Sequence, residues 1–155
     1  MQNTVEFIGR YLVPGSSVLE IGAGSCRIIA ELVERYNIKG AGIDPFIAPA
    51  QRLGLECLRL RAEDLEGLEG QFDLIFSVHS LHHLGQPKVA LKRAQQKLRP
   101  GGRLLIIDWR AGAQTGIPEH YFSLVEVRQM ATEVGFQLDE AYTQDDELII
   151  VAHRG

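Results

Sequence analysis

The chain has 155 residues, 45% of them hydrophobic and 23% charged, so we expect residues 1–155 to form one globular domain. Its formal net charge of −4 argues against general binding to nucleic acids, and its two cysteines argue against a disulfide framework and for a cytoplasmic setting. No apolar run approaches the ~20 residues that a membrane span needs, and the N-terminal residues do not follow the pattern of a signal peptide.

Strand patterns alternate with helix patterns along the chain. In the first half the predicted elements are a helix over 3–12 (beginning at Asn3 or Thr4), a strand over 17–21, a helix over 25–36, a strand over 40–43, a short helix over 48–53 and a strand over 56–60, then a polar loop over 62–71. In the second half they are a strand over 72–78, a helix over 87–98, a strand over 103–108, a loop over 109–118, a helix from 119 or 123 to 134, and strands over 136–141 and 147–153.

This alternation predicts an α/β fold, in which a mostly parallel sheet carries helices on both faces. The last two predicted strands are joined by a short polar turn, which indicates an antiparallel hairpin at one end of the sheet. Ligands of such sheets bind beyond the carboxyl ends of the strands.

A glycine turn follows the first predicted strand and precedes the second helix. Gly22 and Gly24 let the backbone turn sharply and approach a ligand, and the helix that follows offers free N–H groups. This is the arrangement of a nucleotide-binding crevice. The dinucleotide fingerprint fails, however, because Arg27 occupies the position of its third glycine.

The other strand ends carry side chains that suit a nucleoside. Asp44 ends the second strand, where a carboxylate can accept hydrogen bonds from two ribose hydroxyls. Phe46 or Ile47 can cover the base, and the groups near 62–64 can meet its polar edge.

Five segments together resemble the class I S-adenosylmethionine-dependent methyltransferases, in the small-molecule branch similar to ubiquinone-biosynthesis enzymes. They are VLEIGAGSC at 18–26, GID at 42–44, RAEDL at 61–65, FDLIFSVHSLHHL at 72–84 and LKRAQQKLRPGGRLLIID at 91–108. The resemblance implies a doubly wound, Rossmann-like sheet of seven strands in the order 3-2-1-4-5-7-6, with the last strand antiparallel. It also implies S-adenosylmethionine as the cofactor.

The resemblance assigns roles to individual residues. It implies that Glu20 holds the amino group of the cofactor's methionine part, and that Asp44 takes the ribose hydroxyls. Further cofactor contacts are implied for Gly22, Ala23, Gly24, Pro45, Phe46, Ala62, Glu63, Ser77 and Val78.

Two positions depart from the family pattern. Cys26 stands where a third glycine is usual, and Arg61 stands where an aspartate commonly accepts from the adenine amino group. Because arginine cannot accept a hydrogen bond, that contact must come from Glu63, Asp64 or the backbone.

Three histidines follow the fourth predicted strand. His79 is a candidate general base, whereas His82 and His83 can simply cap or pack against the next turn. We expect no metal site, because no carboxylate or cysteine nearby in the sequence completes a ligand set. Asp108 and Trp109 either line the acceptor pocket or form a turn.

The expected function is methyl transfer to a small-molecule acceptor. The segment Ser77-Val-His-Ser80 lacks the Asn/Asp-Pro-Pro-aromatic turn of family members that methylate nucleic-acid bases or glutamine. A cofactor-binding module without transfer activity, acting as a subunit or sensor, is the alternative. Segments that cover the acceptor are short in this chain, so we expect a pocket that is either open or closed by the second subunit of a homodimer.

Overall fold

The computed structural model describes residues 3–155, so Met1 and Gln2 of the predicted domain lie outside the described residues. The α-helices of the described part are α1 (Thr4–Gly9), α2 (Arg27–Tyr36), α3 (Pro87–Lys97) and α4 (Leu124–Glu133). Its strands are β1 (Ser17–Ile21), β2 (Lys39–Ile43), β3 (Ala50–Arg52), β4 (Leu55–Leu58), β5 (Phe72–Val78), β6 (Leu98–Trp109), β7 (Phe136–Gln144) and β8 (Glu147–Arg154). Short 3₁₀ helices span Ala62–Gly67 and Leu81–His83.

These strands form one sheet in the order β3-β4-β2-β1-β5-β6-β8-β7. The strands β4, β2, β1, β5 and β6 are parallel neighbours, whereas β8 is antiparallel to both β6 and β7. Without β3, the order is the predicted 3-2-1-4-5-7-6 with an antiparallel last strand. The predicted fold class is therefore confirmed, with one additional edge strand.

The predicted helix over 48–53 is wrong. Residues Ala50–Arg52 form β3 instead, which pairs antiparallel with β4 through a two-residue turn. Gly54 has a φ of 79° in that turn, a conformation that favours glycine. Pro49 and Gly54 leave too few residues between them for a stable helix, and a tight hairpin satisfies the backbone instead. The predicted loop over 62–71 likewise contains the 3₁₀ helix Ala62–Gly67.

Both faces of the sheet are buried, as its parallel strands require. Leu19 and Ile21 of β1 belong to a core that includes α3 and α4, whereas Val18 belongs to a second core that includes α1 and α2. Neighbouring residues of a strand point to opposite faces, so each strand contributes to both cores. The helices thus hold the carboxyl ends of β1, β2, β5 and β6 at one edge.

A capping box fixes the start of α4. The Ser123 hydroxyl accepts a hydrogen bond from the Glu126 N–H at 3.1 Å, and the Glu126 carboxylate accepts one from the Ser123 N–H at 3.0 Å. The Ser123→Ala variant is expected to lose about 1 kcal/mol of unfolding free energy in urea denaturation, because the Glu126 N–H loses its acceptor at the helix start. Ser123→Thr keeps the hydroxyl and should retain most of that stability; equal losses in the two variants would contradict the role of the cap.

Candidate active site

The glycine turn after β1 leaves the backbone bare at two positions for different reasons. Gly22 has a φ of 67°. A side-chain Cβ built there would lie 2.4 Å from Ser80 Oγ, so the position has no room for a side chain. Gly24 has a φ of 56°, and a Cβ there would meet no heavy atom of the described residues within 4 Å. The turn is thus packed on one side and open to a ligand at Gly24.

Cys26 occupies the position where glycine is usual in the family, and it adopts the left-handed conformation with a φ of 63°. Its buried thiol fits over Gly42, where a Cβ would lie only 2.6 Å from Cys26 Sγ. Cys57 on β4 is the register partner of Gly42 on β2. Burial, followed by hydrogen bonding to Cys57, raises the pKa of the Cys26 thiol to about 12. The thiol is therefore a packing group and not a nucleophile at neutral pH.

Glu20 is a buried carboxyl group with an unsatisfied oxygen. The residue is 2% exposed, and its Oε1 has no hydrogen-bond partner within residues 3–155. Burial raises the pKa of Glu20 to about 8; the Ile29 backbone N–H acts in the opposite direction, and the Asp44 charge raises the pKa further. A buried, unpaired carboxylate is unfavourable unless a cation or donor compensates it. The ammonium group of the cofactor's methionine part would supply both.

Asp44 is held in place by the backbone on both sides of the crevice. Its Oδ2 accepts from the Gly24 N–H at 3.0 Å, and its Oδ1 accepts from the Phe46 N–H at 2.9 Å. Each oxygen keeps a lone pair for a further donor, as a ribose diol requires. Phe46 follows the partly buried Pro45, and the residue is 91% exposed. Its ring is free to cover a base.

The 3₁₀ helix Ala62–Gly67 brings the predicted adenine-side residues to the same edge. Ala62 is buried, and Glu63 Oε2 accepts from the Gln86 N–H at 3.1 Å, just before α3. Arg61 forms an ion pair with Asp64, with 2.9 Å between Nε and Oδ2. Since Arg61 engages the Asp64 carboxylate, Glu63 and the backbone remain to meet an adenine amino group.

The end of β5 is joined to the end of β1 by two buried serines. Ser80 Oγ donates to the Ile21 carbonyl at 3.1 Å and lies 2.6 Å from Ser77 Oγ. Because the Ser80 proton is engaged, Ser77 is the donor between the two hydroxyls. Ser77 thus spends its hydroxyl on the fold, and Val78 beside it is partly buried. Sequence reasoning missed Ser80, although the tight glycine turn opposite requires a small neighbour.

His79 is fixed by three separate features. Its backbone has a φ of 54°, and its ring stacks on Trp109 with centroids 4.0 Å apart and planes 7° apart. Its Nε2 lies 2.5 Å from Glu147 Oε2. Glu147 comes from β8, where its register partner is Trp109. Sequence reasoning missed Glu147, whose only signal was the predicted hairpin that returns beside β6.

A cavity of about 350 Å³ opens beside this histidine. Its lining residues are Trp109, Gln114, Thr115, Asp145, Asp146 and Glu147. Three of these six carry carboxylates, and one carries an indole ring. The cavity lies at the end of β6, next to the end of β5.

The chain matches the methyltransferase domain family over residues 1–141. It belongs to this family. The resemblance to class I S-adenosylmethionine-dependent methyltransferases is thereby confirmed, and so are the fold class and S-adenosylmethionine as the family's cofactor.

Named relatives of this methyltransferase domain act on different acceptors. Phosphoethanolamine N-methyltransferase 3 of Arabidopsis thaliana is 26% identical over 99% of this chain and 36% of its own length. The tRNA U34 carboxymethyltransferase of Syntrophotalea carbinolica is 30% identical over 64% of this chain and 34% of its own length. This chain therefore spans about a third of the length of these curated relatives.

A solved structure shows the same fold with the cofactor product bound. The 1,6-didemethyltoxoflavin-N1-methyltransferase of Burkholderia thailandensis, in complex with its substrate and S-adenosylhomocysteine, superposes with a TM-score of 0.77. The alignment covers 97% of this chain and 76% of that one, at 18% identity. Among residues 3–155 of the methyltransferase domain, none of the helices is long and apolar enough to cross a membrane.

Proposed function

We propose that this methyltransferase domain transfers the methyl group of S-adenosylmethionine to a small-molecule acceptor. The observation that carries the proposal is the unsatisfied Glu20 carboxyl group, which lies beside an open glycine turn and a backbone-fixed Asp44. This set matches the charged and polar groups of the cofactor. When bound, S-adenosylmethionine supplies a methyl group that its sulfonium already activates, so the protein mainly has to align the acceptor and exclude water.

The proposed roles follow from the contacts available at each position. Glu20 binds the ammonium group, Asp44 binds the ribose hydroxyls, and the bare backbone of the glycine turn lies along the cofactor. The remaining proposed cofactor contacts are Gly22, Ala23, Gly24, Pro45, Phe46, Ala62, Glu63, Ser77 and Val78. Ser77 contributes through the shape of the β5 end, since its hydroxyl is engaged by Ser80.

We propose that the acceptor is an amine. The cavity beside Trp109 presents the carboxylates of Asp145, Asp146 and Glu147, and only Asp146 has an arginine partner there, with 3.7 Å between its Oδ1 and Arg110 Nη2. Carboxylates and an indole ring together favour a cationic ligand. Phosphoethanolamine N-methyltransferase, the relative named above, acts on an amine by its name, which supports the same acceptor class.

His79 is the proposed general base. Glu147 accepts a hydrogen bond from Nε2–H and thereby leaves Nδ1 as the proton acceptor, the tautomer that general-base catalysis requires. An ammonium acceptor must lose a proton before its nitrogen can attack the methyl group. The ring is held by stacking on Trp109 and by Glu147, and both of these residues line the cavity.

A transfer assay tests the function and the base together. The chain is incubated with S-adenosylmethionine and matched sets of small amines, alcohols and carboxylic acids, and formation of S-adenosylhomocysteine is measured. We expect turnover with amines, and we expect His79→Gln to lower kcat by about 100-fold or more while cofactor affinity stays unchanged.

His153→Gln is the matched control, because His153 forms a similar exposed pair with Asp139 at 2.9 Å, away from the cavity. It should leave turnover unchanged. Cofactor binding without transfer to any acceptor would instead support the alternative of a binding module. Turnover of tRNA would overturn the small-molecule proposal. The net charge of −4 supports a small-molecule acceptor over a nucleic acid.

The organisation of the protein also belongs to the proposal. We propose that residues 1–155 act as one domain, which the continuous sheet with cores on both faces supports. The cytoplasmic location and the homodimer expected from the sequence stay predictions.

A further inference from the structure

Three side chains converge where the turn after β5 meets the segment before α4. His82 Nε2 lies 2.8 Å from Glu119 Oε2, and His83 Nε2 lies 3.2 Å and 3.3 Å from the two Glu119 oxygens. One ligand atom from each of the three residues lies within 4.8 Å of the others. The sequence supplied the two histidines, but the carboxylate that completes the set comes from 36 residues beyond His83.

A fourth residue behind the cluster orients the first histidine. Asp108 is 1% exposed; its Oδ1 lies 2.7 Å from His82 Nδ1, and its Oδ2 accepts from the His82 backbone N–H at 3.0 Å. The His82 side chain is itself only 3% exposed. Asp108 therefore fixes the ring so that Nδ1–H donates to it, and in the neutral form of His82 the Nε2 lone pair points at Glu119. Buried carboxylates play this part behind histidines that bind metals.

This arrangement brings acceptors face to face. A carboxylate has no proton to donate, and a histidine whose Nδ1 holds the proton presents only a lone pair at Nε2. His82 Nε2 and the Glu119 oxygens are both of this kind. A single cation between His82, His83 and Glu119 would satisfy all three.

We propose that His82, His83 and Glu119 bind one divalent transition-metal ion of the zinc type. Imidazole and carboxylate ligands suit such ions, and bonds of about 2.0–2.1 Å in a tetrahedral site place ligand atoms about 3.3 Å apart. The separations between His83 and Glu119, 3.2 Å and 3.3 Å, already have this value. The 2.8 Å between His82 and Glu119 has to open by about half an ångström, which the partly exposed glutamate allows.

The site goes beyond methyl transfer, since it requires neither cofactor nor acceptor. The ion would join the turn Leu81–His83 to the segment that carries Glu119, two parts of the chain that also meet through side-chain hydrogen bonds and through an edge-on contact between the His82 and Tyr121 rings. Metal binding is therefore expected to hold that segment against the carboxyl edge of the sheet.

Calorimetric titration of zinc chloride into the untagged, chelator-dialysed chain tests this site. We expect one ion per chain, and we expect His83→Gln and Glu119→Gln each to weaken binding by about tenfold or more. His120→Gln is the matched control, because His120 is exposed and adjacent in sequence but lies outside the cluster. It should bind zinc like the parent chain. Far-UV circular dichroism confirms that each variant is folded.

A second readout reports the ligand geometry directly. Cobalt(II) in a tetrahedral site of two histidines and a carboxylate gives visible absorption bands, which His83→Gln should remove and His120→Gln should retain. Absence of one-to-one binding, or equal weakening in the His83 and His120 variants, overturns the proposal.

Discussion

Replacing Asp44 by alanine is expected to weaken S-adenosylhomocysteine binding by at least about 100-fold. The variant loses two charge-assisted hydrogen bonds to the ribose, each of about 1.5–3 kcal/mol, and about 1.4 kcal/mol corresponds to tenfold in affinity. It also releases the Gly24 and Phe46 N–H groups that the carboxylate now holds at 3.0 Å and 2.9 Å. Isothermal titration of the folded variant measures the loss.

Two variants separate the ribose contact from a general loss of structure. Asp44→Asn keeps the shape and one acceptor oxygen, so its affinity should lie between those of the parent and the alanine variant. Asp73→Ala is the matched control, because Asp73 also accepts a backbone N–H, from Ser17 at 2.8 Å, but at the opposite edge of the sheet. It should lower stability and leave affinity unchanged. Parent-like affinity in Asp44→Ala would show that the ribose assignment is wrong.

The parts of the fold that periodicity predicts are the long, fully buried ones. The strands predicted over 17–21 and 72–78 are Ser17–Ile21 and Phe72–Val78, because apolar runs bounded by polar or turn residues have few alternatives. The strand Ala50–Arg52 was not predictable in this way. All three of its residues are exposed, so no hydrophobic pattern distinguishes it from a short helix, and its pairing with β4 decides its conformation.

The same division applies to the candidate site. Glu20 lies next to the last residue of β1, the glycine turn follows β1, and Asp44 follows β2, so local sequence predicts that they meet. Other contacts come from distant segments of the chain. Glu147 contacts His79, and Glu119 contacts His82 and His83. Their positions depend on how β8 returns beside β6 and on how the segment before α4 folds back. Neither is encoded in a short motif, which is why these two contacts were harder to predict than the cofactor side.

Glu20 predicts an unusual pH dependence of cofactor binding. In the free chain, burial raises the pKa of this carboxyl group to about 8, so it is mostly protonated at pH 6. The ordinary pKa of a glutamate is 4.5, so between pH 4.5 and about pH 8 the folded chain keeps a proton on Glu20 that the unfolded chain releases. Glu20 therefore lowers the stability of the free chain as the pH rises from 4.5 toward 8. An ammonium ligand prefers the ionised carboxylate. Binding therefore releases a proton at every pH at which Glu20 is protonated in the free chain and ionised in the complex.

The affinity for S-adenosylhomocysteine should consequently rise by about tenfold per pH unit between about pH 5.5 and pH 7.5, where the ligand's amino group is mostly protonated. Titrations in buffers of different ionisation enthalpy should show release of about one proton at pH 6. Glu20→Gln has no such group, so it should bind more weakly at pH 7.5, show little change of affinity with pH, and be more stable than the parent when free at that pH. A pH dependence that survives unchanged in Glu20→Gln would mean that another group titrates, and the ammonium contact would then have to be placed elsewhere in the crevice.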